Sequence, residues 1–307
     1  MYTRFYGLKE RPFEIGPNPR YLLLTPRHRE ALSNLEYGVC ARKGITVVTG
    51  DPGTGKTTLL RRMLQTAAAG ATPGRRPRFA YLTNPTLDRH EFVEYLAHRF
   101  RLSLEAGKSK GRFLLELEHA LIEDFRHGTP AALVVDEAQS LSLEMLEEIR
   151  LLANIESDTE KLLPVVLAGH QDFATRLNEP EMVQLKQRVT LRCSLHPLDV
   201  KETASYIATR ISMAGGDARA LFTREAVLAV HERAKGIPRT INVICDNALI
   251  SGFALERRPV SADIIAEVSA DFDLGRARPV RKRQPLRRPP VKDPMPEGER
   301  KTYVESR

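Results

Sequence analysis

Five short runs of β-branched and aliphatic residues punctuate this chain, at 45–49, 78–83, 132–135, 164–169 and 188–195. They are too short for amphipathic helices and read as strands, those at 45–49 and 132–135 as buried ones. Between them lie stretches of helical periodicity near 56–69, 88–101, 111–126 and 142–155. In the last of these Leu143, Leu146, Ile149 and Ala153 share one face. A further helix over 26–42 precedes the first strand, with Ala31, Leu32, Leu35 and Val39 turned inward. Strands alternating with helices predict a parallel, helix-flanked sheet. Beyond Pro197 the pattern becomes wholly helical, near 199–214, 223–235, 238–253 and 261–271. The expected architecture is an N-terminal segment over 1–44, an α/β core over 45–196, a small all-helical lid over 197–273, and a tail over 274–307.

The tail changes the meaning of the composition. The 307 residues carry a net charge of +8, but 11 Lys/Arg against 4 Asp/Glu stand from Gly275 onward, with six of the 20 prolines. The folded part is therefore nearly neutral, and the basic Pro/Arg-rich tail is expected to be disordered. Such a tail suits DNA phosphates, an anionic membrane surface or simple solubilisation. Cys40, Cys193 and Cys245 are odd in number and widely spaced, which predicts neither a disulfide framework nor a zinc site. No stretch approaches the 18 apolar residues of a membrane span, and the N-terminus does not read as a signal peptide. A cytoplasmic protein, at most peripheral to the inner membrane, is the expectation.

The chemistry is concentrated at two strand ends. After the first strand comes Gly50-Asp51-Pro52-Gly53-Thr54-Gly55-Lys56-Thr57, followed by Thr58 at the start of a helix. The glycines let successive backbone N–H groups converge on one anion, and the helix start adds its unpaired donors and dipole. Lys56 is placed for the β- and γ-phosphates of a nucleotide, and the Thr57 hydroxyl for Mg²⁺. The third strand ends in Asp136-Glu137. Asp136 is the candidate metal carboxylate, and Glu137 the candidate base that deprotonates an attacking water. Gln139 is as well suited to orient that water as to face solvent. His170 follows the fourth strand, where an imidazole could hydrogen-bond the γ-phosphate or the water if that strand lies between the two motif strands. Arg188 precedes the fifth strand, from which a guanidinium could project into a neighbouring subunit's nucleotide. Arg239, in Gly236-Ile237-Pro238-Arg239, opposes the dipole of the helix it opens, so its placement suggests an anion nearby; Asp246 on the same helix is a competing partner.

Taken together these segments resemble the ExeA/MshM-type AAA+ secretion ATPases, a family that includes the exosortase/PEP-CTERM-associated ATPases. The resemblance spans about residues 1–270. It rests on Met1–Leu8, Pro12-Phe13, Tyr21–Leu32, Gly50–Thr58, Val134–Gln139, Gln187-Arg188, Pro197-Leu198, Glu202-Thr203 and Gly236–Asn242. It implies a P-loop AAA+ core with strand order 5-1-4-3-2 and a helical lid. It places Lys56 and Thr57 in Walker A, Asp136 and Glu137 in Walker B, His170 at sensor one, Arg188 near the arginine finger and Arg239 at sensor two. It also implies that the N-terminal segment, with residues near Tyr6–Phe13 and His28, packs around an adenine. Longer members continue into a transmembrane segment and a peptidoglycan-binding domain; this sequence matches neither, so a shorter member is expected.

The resulting expectation is an ATPase using ATP and Mg²⁺, homo-oligomeric, that drives oligomerisation or remodels a protein partner in an envelope secretion, pilus or exopolysaccharide export system. The alternatives are a DNA-transposition ATPase of the TniB/MuB/TnsC type and a nucleotide-gated scaffold without significant turnover, against which an intact Glu137 argues. ATP rather than GTP follows from the resemblance, with no Asn-Lys-x-Asp motif present to read guanine.

Overall fold

Alternate residues of the strands feed two different cores, as the period of two requires. A computed structural model describes residues 1–83 and 85–272; the tail lies outside the described residues. The strands are β1 (Ile45–Gly50), β2 (Arg78–Leu82), β3 (Ala131–Val135), β4 (Val165–Gly169) and β5 (Val189–Leu195). They form one parallel sheet in the order β2-β3-β4-β1-β5, the order the resemblance implied, counted from the other edge. Val47, Leu133, Val135 and Leu167 pack on one face against Phe92, Leu96, Phe113 and Ile149. Val48, Val134 and Ala168 pack on the other against Leu35 of helix Pro26–Cys40 and Leu59 and Met63 of helix Lys56–Ala69. β1, β3 and β4 are buried along their whole length, and the edge strands only in part. That is why the inner three read as unbroken apolar runs.

A third core belongs to the helices after Leu195: Val200–Met213, Arg224–Ala234, Pro238–Ala254 and Ala262–Asp271. Tyr2, Tyr6, Leu8 and Phe13 pack inside it. The short helix Tyr2–Tyr6, closed by Gly7 in the left-handed region, puts Tyr2 and Tyr6 on the same side. Tyr2 donates to Asp246 Oδ1 at 2.5 Å, and Tyr6 to the Arg257 carbonyl at 3.3 Å. The N-terminal segment therefore divides. Residues 2–14 belong to the lid's core, 15–24 cross between lid and sheet, and helix Pro26–Cys40 belongs to the sheet.

Several element ends differ from the pattern: the helix expected over 142–155 spans Leu143–Leu152, and the one expected over 88–101 spans Arg89–Arg99. The helix begun at Pro26 stops at Cys40, where Ala41 caps it and Arg42 turns left-handed (φ 48°). β5 starts at Val189 because Arg188 closes a short helix, Val183–Arg188, whose Leu185 is buried. The lid's attachment depends on Gly236. It lies at φ 71°, and a Cβ there would run into the Leu198 carbonyl, while its own carbonyl accepts the Leu198 N–H at 2.8 Å. Gly236→Ala is expected to cost at least about 1–2 kcal/mol from the left-handed conformation alone, more once the clash is added, seen as a lower denaturant midpoint.

Candidate functional site

The carboxyl ends of β1, β3 and β4 lie side by side, so the sheet itself assembles the two motifs. Gly53 (φ 83°) and Gly55 (φ 103°) give the loop after β1 its curl, and Gly55 opens helix Lys56–Ala69. The Thr54 hydroxyl ties the loop to the Asp51 carbonyl at 2.8 Å. Lys56 is buried, its Nζ donating to the carbonyls of Gly50 (2.8 Å) and Asp51 (3.1 Å). Burial holds its pKa below the usual lysine range, and the charges of Glu137, Asp136 and Asp51 pull it back up. His28 braces the loop and also lines the cleft beside it: its Nε2 lies 3.2 Å from the Thr54 carbonyl and its Nδ1 2.8 Å from the Thr25 hydroxyl. A carbonyl only accepts, so the proton sits on Nε2 and Nδ1 accepts from Thr25. Burial keeps this imidazole's pKa below its ordinary value.

Thr57 Oγ1 donates to Asp136 Oδ2 at 2.6 Å, joining motifs 79 residues apart. Tyr81 on β2 donates to the same oxygen at 3.1 Å. The Tyr81 pKa is pushed above the usual range by burial and then by the Asp136 charge. Next along, Glu137 adopts a left-handed backbone (φ 57°, ψ 39°), a conformation that costs a non-glycine residue about 1–3 kcal/mol and concentrates at functional sites. Its N–H donates to Asp136 Oδ1 at 3.1 Å. Its Oε2 receives Gln139 Nε2 at 2.6 Å and lies 3.1 Å from His170 Nε2. Gln139 Oε1 in turn accepts the His170 N–H at 3.0 Å. β4 does lie between β1 and β3, and His170 meets the site through Glu137.

A cleft of about 500 Å³ opens above these groups. Pro52 to Thr58 and Glu137 line its floor, residues 15–18 and 21–23 one wall, and Leu198, Tyr206, Arg210, Arg239 and Asn242 the other. Gly50, Asp51 and Asp136 are not among the lining residues. Arg239 meets the loop directly: its N–H donates to the Gly53 carbonyl at 3.2 Å, and a Cβ on Gly53 would lie 2.8 Å from the Arg239 Cβ. Its exposed side chain has no ion pair among the described residues. Asp246, the partner the spacing offered it, is held by Tyr2 instead. Tyr6 and Phe13 do not line the cleft; the segment just after them does. Arg188 is exposed beside Val189, which pairs with Ile45 at the opposite end of β1 from the loop. Those ends are five residue steps apart, about 17 Å, so Arg188 is far from its own chain's cleft.

The comparisons agree with this geometry. The profile of an AAA domain matches residues 40–177. The chain is 40% identical over 255 residues to General secretion pathway protein A of Aeromonas hydrophila, which covers 83% of this chain and 45% of that one.

The chain belongs to the ExeA-type AAA+ family.

This ExeA-type chain spans about half the length of the curated relative it matches. Among solved structures it is similar to Aeropyrum pernix ORC2 in ADPNP–ADP complexes, at TM-score 0.65 and 17% identity over 86% of this chain and 72% of that one. It is also similar to Pyrobaculum aerophilum Cdc6p, at TM-score 0.59 and 16% identity over 88% and 70%. At such identities the likeness is one of fold. Tyr81, Tyr206 and Arg210 carried no signal in the sequence. Tyr81 reaches Asp136 only because β2 pairs with β3, and Arg210 reaches the cleft only because the lid folds over it.

Proposed function

We propose that this chain binds ATP with Mg²⁺ in the cleft and hydrolyses it. The observation that carries the reading is the 2.6 Å contact between Thr57 and Asp136, with Glu137 beside it in the cleft. Hard oxygen donors from a hydroxyl and a carboxylate suit Mg²⁺, which keeps several waters and takes the rest of its ligands from phosphates. Thr57 and Asp136 would hold it; once bound, it neutralises charge on the β- and γ-phosphates. The loop N–H groups from Gly53 to Thr58 cradle the phosphates, and Lys56 leaves its backbone carbonyls for them. Glu137 serves as base. Gln139 and His170 both hold Oε2, and Oε1, without a partner among the described residues, takes the proton of the attacking water. Arg239 senses the phosphates from the lid. The test is phosphate release from ATP by the purified chain: turnover should vanish without Mg²⁺, and a chain that binds no nucleotide overturns the reading.

The work performed is the assembly of a homo-oligomer or the remodelling of a protein partner in an envelope export system, at the cytoplasmic side of the inner membrane. The identity to General secretion pathway protein A supports this. No helix among the described residues is long and apolar enough to cross a membrane. Arg188, remote from its own cleft, acts as the finger for a neighbour's. Mixing Arg188→Ala with Lys56→Ala subunits should then restore part of the ATPase activity each lacks alone, since some interfaces pair an intact loop with an intact finger. No restoration in co-assembled subunits counts against a shared site. Steeply salt-dependent DNA binding without an export defect in a strain lacking the protein would favour the transposition alternative.

A further inference from the structure

Arg210 is a buried cation without a carboxylate. It projects from helix Val200–Met213 and is 6% exposed, and no ion pair reaches it among the described residues. Burying an unpaired charge is costly unless hydrogen bonds replace its hydration. Here they come from two carbonyls of the N-terminal segment and from a tyrosine one turn back on the same helix. Nε donates to the Pro12 carbonyl at 2.5 Å and Nη2 to the Glu14 carbonyl at 3.2 Å, while Nη1 donates to the Tyr206 hydroxyl at 2.8 Å. The guanidinium also lies 4.7 Å from the centre of the Tyr21 ring, within cation–π range. Pro12, Glu14 and Tyr21 bracket the part of the crossing segment, residues 15–18, that walls the cleft. On its other side Pro17 is tied to the loop helix, its carbonyl accepting from Arg61 at 3.0 Å. The planar fork of an arginine reaches two carbonyls and a ring at once; a lysine's point charge does not.

We propose that Arg210 is a positioning residue that latches residues 12–21 to the lid and thereby shapes the half of the cleft that takes the nucleoside, the phosphates being held by the loop. This rests on the nucleotide reading of the cleft. The floor from Pro52 to Thr58 accounts for the phosphates, which leaves the space between the crossing segment and the lid for base and sugar. Tyr206, gripped by Arg210, donates in turn to Asn242 Oδ1 at 3.0 Å, so the same latch orients a second cleft-lining side chain.

The test separates the two halves of the ligand. Affinities for ATP and for inorganic tripolyphosphate are measured on the full chain and on Arg210→Met, which keeps the aliphatic stem but removes every donor. ATP affinity should fall by tenfold or more, with tripolyphosphate affinity unchanged within about twofold. Tyr21→Leu should show the same asymmetry more weakly, and Arg210→Lys should fail to restore ATP affinity. Equal loss for both ligands, or no loss for either, overturns the latch. A wild-type chain that binds tripolyphosphate and ATP equally well also overturns it, because the nucleoside then contributes nothing. A wild-type chain that binds neither refutes the nucleotide reading itself, a distinguishable result.

Discussion

Lys56→Ala is expected to abolish nucleotide binding. The ammonium is held inside the phosphate loop by two backbone carbonyls, those of Gly50 and Asp51, at distances an incoming phosphate can compete with. A charge-assisted hydrogen bond contributes about 1.5–3 kcal/mol, so losing the two or three that Lys56 can make to β- and γ-phosphates should weaken ATP by more than about 100-fold. Lys56 also has a structural share, since its removal leaves those carbonyls short of a donor in a buried place. Thermal unfolding without nucleotide separates the two effects. A melting temperature lowered by no more than several degrees together with lost ATP binding, by calorimetry or a fluorescent analogue, is the expected pair. Undiminished ATP affinity would remove the phosphate-loop reading, and with it every role assigned around the cleft.

Glu137→Gln should leave ATP bound and lower turnover by about 10²–10⁴-fold, the usual contribution of a positioned base. The substitution preserves shape, and the left-handed backbone at φ 57° is no worse for glutamine. The new amide oxygen can still accept from Gln139 Nε2 and His170 Nε2, so the local network survives while the proton acceptor does not. The measurement is single-turnover phosphate release beside equilibrium ATP binding. Normal turnover would refute Glu137 as base. Lost binding would mean that Glu137 holds the site together.

These two outcomes bear on residues legible from sequence alone, because their motifs are local. Gly50 to Thr57 needs only a strand before it and a helix after it, and residues 45–49 and 56–69 advertise both by apolar run and periodicity. Asp136-Glu137 likewise announces itself at the end of an unbroken apolar strand. His170 was legible only on condition that its strand fell between the motif strands, which the pairing of β4 with both β1 and β3 satisfies. The placement of the N-terminal segment was less legible. Tyr6 and Phe13 are large and apolar, which says that they are buried but not against what; the lid core takes them, and the less apolar residues 15–18 face the cleft.

What the linear chain determined is the inventory: five strands, the longer helices between and after them though not the short Leu104–Lys108, Gln171–Arg176 and Ala218–Leu221, a phosphate loop, a paired acid, and arginines placed to meet anions. Each follows from neighbours a few residues apart, where propensity and period suffice. The tertiary structure decided which of those parts touch. It set Tyr81 on Asp136, hung Glu137 between Gln139 and His170, gave Asp246 to Tyr2 rather than Arg239, put Arg188 at the far end of β1, and brought Arg210 to carbonyls 196 and 198 residues away. Contacts of that kind arise from strand pairing and from the closure of the lid on the chain's own beginning. The physical reason they escape a sequence reading is that a side chain's partner is chosen by the packing of whole layers, whereas its secondary structure is chosen by its neighbours.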